Sequence, residues 1–94
     1  MYVRVVRFAE VSAERIASLL ARVQEAGGPP PGVESTGLTV LFDESQGTAV
    51  VLQRFETRAA MEAAAKVFEA MDPGDTPGVR VSVDACEQRL DLEA

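Results

Sequence analysis

The chain has 94 residues, a net charge of −6, one cysteine (Cys86) and neither histidine nor tryptophan. That length predicts a single domain over residues 1–94 with a modest core, which chains of this size supplement with disulfides, a metal or a second copy. One thiol excludes an internal disulfide, the missing histidines argue against a structural zinc site, and nine basic residues scattered from Arg4 to Arg89 offer no stripe for nucleic acid.

Residues Tyr2 to Phe8 are rich in β-formers, with Val3 and Val5 on one face and Tyr2, Arg4, Val6 and Phe8 on the other. Ser12 is placed to cap a helix. Glu14 falls in its first turn, and Ile16, Leu19, Leu20 and Val23 follow at helical spacing. Gly27 and Gly28 end that helix, and Pro29 to Pro31 keep it from resuming. A phosphate loop is not assigned here, because anion capture needs the glycines before a helix and these follow one.

Leu38 to Phe42 reads as a second strand and Thr48 to Phe55 as a third, joined by the polar turn Asp43-Glu44-Ser45-Gln46-Gly47. Leu38, Val40 and Phe42 oppose Thr39 and Leu41; Val50 and Leu52 oppose Ala49, Val51, Gln53 and Phe55. Thr57 caps a second helix that runs to Met71, with Met61, Ala64, Val67, Phe68 and Met71 on its apolar face, and Asp72-Pro73-Gly74 ends it. Val79 to Cys86 alternates as the last strand, Val79, Val81, Val83 and Ala85 against Arg80, Ser82, Asp84 and Cys86. The tail from Glu87 to Ala94 keeps only a weak alternation through Leu90 and Leu92.

The order β-α-β-β-α-β predicts an α+β subunit of ferredoxin-like kind: a four-stranded antiparallel sheet with two helices on one face. Both parities of the first three strands carry apolar side chains. Val6, Phe8, Leu41, Val51 and Phe55 are assigned to the face away from the helices, where they would form a patch larger than monomers usually expose. A second copy packed sheet to sheet about a two-fold axis would cover it, giving a homodimer and a dimeric α/β barrel.

From Val51 through Met71 the third strand ends in an aromatic, Phe55, and passes through the hydroxyl cap Thr57 into the second helix. In this the chain resembles the dimeric α/β-barrel superfamily, and most of all its antibiotic-biosynthesis-monooxygenase (ABM)-like domains. The resemblance spans nearly the whole chain. Phe55 stands where that family often has tryptophan, Gln53 where an acidic residue often precedes it by two, and Ala64 where a helical histidine is common. The family includes haem-degrading members that depend on a histidine, which this chain lacks, and cofactor-free oxygenases acting on activated polyketide substrates. The resemblance therefore implies no cofactor.

Parity points Arg4, Val6, Phe8, Leu41, Val51, Gln53, Arg80, Ser82 and Asp84 into a cleft between the sheet and its partner, largely apolar with a few polar groups as a small-molecule site requires. The competing reading is that these residues fill the dimer interface, with Arg4 or Arg80 paired to Asp84. Asp84 is a candidate general base if desolvated. Cys86 reads as a small, buried or half-buried strand residue, Tyr2 as interface packing, and Met61 and Met71 as core. The acids Asp43, Glu44, Asp72 and Asp75 sit in separate turns and read as solvated surface.

The expectation is thus a homodimeric ABM-like domain that holds a small apolar or aromatic molecule between sheet and partner. One alternative is a cofactor-independent monooxygenase on a quinol- or polyketide-like substrate; another is a structural or regulatory module without a pocket. No apolar run reaches the ~20 residues of a membrane span. With no leader pattern before the first strand, a cytoplasmic location is expected.

Overall fold

The computed structural model describes residues 1–70 and 76–93. Along the chain these form β1 (Tyr2–Ala9), α1 (Ala13–Ala26), β2 (Gly37–Asp43), β3 (Thr48–Phe55), α2 (Arg58–Glu69) and β4 (Val79–Glu87). The four strands make one antiparallel sheet in the order β2-β3-β1-β4, consistent with a ferredoxin-like βαββαβ fold. The expected helix end at Met71, the Asp72-Pro73-Gly74 stop and Asp75 lie outside the described residues.

Both helices start where a hydroxyl can replace a missing backbone partner. Ser12 Oγ accepts from the Arg15 amide at 3.2 Å, and Thr57 Oγ1 accepts from the Ala60 amide at 3.1 Å. Gly27 ends α1 in the left-handed region, φ 70°, which a residue without Cβ enters freely. Gly78, just before β4, lies so close to the Ala9 carbonyl that a Cβ there would collide with it, so the chain entering β4 passes tightly under the end of β1.

The faces of the sheet differ from the expectation in a definite way. Tyr2, Arg4, Val6 and Phe8 of β1 and Ala49, Val51, Gln53 and Phe55 of β3 turn toward the helices. Their register is Tyr2 opposite Phe55, Arg4 opposite Gln53, Val6 opposite Val51 and Phe8 opposite Ala49. Val3, Val5, Val50 and Leu52 take the bare face instead. Across strands alternation misplaces Leu41, which pairs with Val50 on the bare face and not with Val51. Within β1 and β3 it says which residues share a face and not which face is covered. Burial of the larger side chains decides it, and Phe8 and Phe55 go inside.

Strand β4 holds a second correction. Opposite Arg7 and Phe8 the register slips by one residue, so Val81 has no partner and Arg80 turns to the helix side opposite Phe8. Ser82 and Asp84 keep the bare face, as expected, opposite Arg7 and Val5. Cys86 is exposed and not half-buried, because β4 is an edge strand and Cys86 pairs with Val3 on the bare face. Beyond Glu87 the tail adds no strand through residue 93, and Leu90 and Leu92 are exposed.

Candidate functional site

Two separate cores form on the helix side. Near the end of β1, Val6, Phe8, Val11 and Ala49 pack with Ile16 of α1. At the other end, Phe55, fully buried at 0% exposure, packs with Val33 and with Met61 and Ala64 of α2. The clusters do not merge. Between them the helices stand away from the sheet and leave a cleft of about 1130 Å³.

Arg4, Val6, Val51 and Gln53 make the sheet side of this cleft. Leu19 and Val23 line it from α1 and Phe68 from α2, while Pro29 to Pro31 and Pro77 to Arg80 form its rims. The apolar stripe of α1 is therefore only partly used by the core: Ile16 is buried, while Val23, two turns on, faces the cleft. An apolar concavity with few polar groups is the usual form of a small-molecule site.

The exceptional residue here is Arg4, a charged side chain only 5% exposed. Its Nη1 donates to Gln53 Oε1 at 3.0 Å, a bond set by the direct pairing of the two residues across β1 and β3. Its Nε is buried without a hydrogen-bond partner among the described residues. The guanidinium carbon lies 5.0 Å from the centre of the Phe68 ring, close enough for a cation–π contact. Burial, and then the nearby positive charge of Arg80, pull the Arg4 pKa below its ordinary value, while Glu69 pushes it back up. Arginine starts so far above neutrality that it stays charged. Arg4 is thus a buried cation with one neutral hydrogen-bond acceptor and no carboxylate in contact among the described residues.

Of the nine residues assigned to a site from the sequence, Arg4, Val6, Phe8, Val51, Gln53 and Arg80 do line one cleft. That cleft lies between sheet and helices within one subunit, whereas the sequence reading put it between sheet and partner. Leu41, Ser82 and Asp84 are on the opposite face of the sheet. Asp84 therefore cannot act as a base on anything bound beside Arg4 and Gln53, and neither arginine pairs with it. The sequence reading omitted Leu19, Val23, Phe68 and Glu69. Spacing had already put the first three on the apolar helix faces, and the missing information was that these faces are not fully consumed by packing.

The bare face is apolar with a few charges. Val3, Val5, Val50 and Leu52 are half-buried, Leu41 is 51% exposed, and Val81 is 63% exposed beside Arg7 and Val50. Arg54 lies along this face above Gly37 and donates to Thr39 Oγ1 at 2.7 Å. Among the described residues, no group of three or more His, Cys, Asp or Glu side chains is placed to hold a metal ion. No helix among them is long and apolar enough to cross a membrane. Comparison of the chain with family models, with curated proteins and with solved structures returns no match.

Proposed function

We propose that this chain is a small-molecule-binding domain that takes an apolar or aromatic compound into the cleft between its two helices and its sheet. Two copies associate through their bare sheet faces, in the manner of the ABM-like domains it resembles. The observation that carries the reading is the cleft itself: a hollow of about 1130 Å³ between two separate hydrophobic clusters, in a chain short enough to need every apolar contact. Filling it with side chains would stabilise the domain, so an open cleft is the costlier arrangement. A cytoplasmic setting fits the lone, exposed Cys86, which reducing surroundings keep as a thiol.

The test uses the neutral fluorophore N-phenyl-1-naphthylamine, whose emission rises in apolar surroundings. The wild-type chain gives a saturable rise at one probe per chain. Val23→Trp, which enlarges a partly exposed side chain in the α1 wall without touching either core, weakens binding by about tenfold through overpacking of the site. A rise that fails to saturate, or that Val23→Trp leaves unchanged, overturns the assignment of the cleft.

A further inference from the structure

We infer that the cleft selects an organic anion, an aromatic carboxylate whose head group is held by Arg4, an inference that rests on the cleft being a binding site. Arg4 is 95% buried, lines the cleft, and has an Nε that no group among the described residues satisfies. A cation removed from water is tolerated when a counter-charge accompanies it, and an unpaired one is costly. Among the described residues, the groups in contact with it are the Gln53 carbonyl and the face of Phe68. Methionine would fill the same space beside Phe68 and Val6 with no charge to desolvate, so packing alone does not call for arginine here.

The surroundings favour an anion over any other partner. Two further arginines, Arg22 and Arg80, line the same cleft, and Arg80 raises the positive potential at Arg4, in a chain whose overall charge is −6. Glu69 is the only acid among the described lining residues. It sits exposed on α2, near enough to favour the Arg4 charge but not in contact with it. A carboxylate entering the cleft would neutralise Arg4, and the lining cations outnumber the one lining acid among the described residues. The planar guanidinium suits a carboxylate better than a point anion, since its parallel N–H groups match the two oxygens. The apolar walls, Leu19, Val23, Val51 and Phe68, would hold the ring that carries it.

A pair of isosteric competitors tests this: 2-naphthoate and its neutral counterpart 2-naphthamide, each displacing bound N-phenyl-1-naphthylamine. In the wild-type chain the naphthoate displaces the probe at a concentration lower by about tenfold than the amide, as a charge-assisted bond to a desolvated guanidinium requires. In Arg4→Met the two compounds become equal, each read against that variant's own affinity for the probe. If that variant fails to fold, Arg80→Gln, at an exposed position, serves instead: naphthoate weakens by a few-fold and the amide is unchanged. Equal displacement by both compounds in the wild-type chain overturns the anion assignment and leaves the cleft standing. A preference for naphthoate that Arg4→Met, or Arg80→Gln in its place, leaves undiminished removes Arg4 from the role. Failure of the neutral probe to bind at all sinks the cleft and this inference together.

Discussion

Asp43 closes the β2–β3 turn with one carboxylate. It accepts from Ser45 Oγ at 2.8 Å, from the Gln46 amide at 3.2 Å and from Gln46 Nε2 at 2.7 Å. The Ser45 hydroxyl first, and then the Gln46 side chain and backbone, hold its pKa below the ordinary 3.8. All of these bonds favour the ionised form. The sign follows: the folded state binds this proton less readily than the unfolded one, so the contribution is complete above the ordinary value and is lost as pH falls through the lowered one. Urea unfolding at neutral pH and again at about pH 3 should show the wild-type midpoint falling more than that of Asp43→Ala, which has no such proton to take up. An equal fall in both would mean that the turn bonds contribute nothing to the folded state. The turn was readable in advance because its polar run ends in Gly47. That Asp43 would be its anchor was not, since Glu44 offers the same group one residue later.

Among the elements, α2 matters most to the cleft, because it carries Met61 and Ala64 into one core and Phe68 to the edge of the other space. Its start depends on Thr57, whose Oγ1 satisfies the Ala60 amide. Thr57→Ala should lower stability by about 1 kcal/mol, and Thr57→Ser should recover most of it, with an unchanged slope against urea if the unfolded state is unaffected. Full stability in the alanine variant would show the cap to be replaced by water. Such helix starts were legible, as were the strand limits, since a hydroxyl before a periodic apolar run has one common use. The orientation of β1 and β3 was not. Val3 and Val5 compete with Val6 and Phe8 on equal terms of polarity, and the presence of Arg4 and Gln53 among the second set argued for the wrong side. The bulge at Val81 was hidden for a related reason: an unbroken alternation from Val79 to Cys86 gives no sign of where its partner strand slips.

At the scale of the whole molecule the helices cover one side of the sheet and leave Val3, Val5, Leu41, Val50, Leu52 and Val81 on the other. Contiguous apolar surface of that kind is a contact region in most proteins. The same face carries charges of both signs, Arg7 and Asp84, which suits a self-complementary two-fold pairing better than a partner of one sign. Light scattering on the purified chain should therefore give twice the 10.0 kDa mass of one copy. Leu41→Asp places a charge on this face at a position already 51% exposed, so the monomer loses little, while the pair must bury an unpaired carboxylate. The variant should run at single-chain mass with an unchanged circular dichroism spectrum, its dissociation constant raised by about a hundredfold or more. Because Arg4 and Gln53 lie on the opposite side of the sheet, the separated variant should still bind N-phenyl-1-naphthylamine as the pair does. Loss of probe binding on separation would mean that the cleft is completed by the second copy, and a wild-type chain that stays single at high concentration would leave the apolar face without its proposed cover.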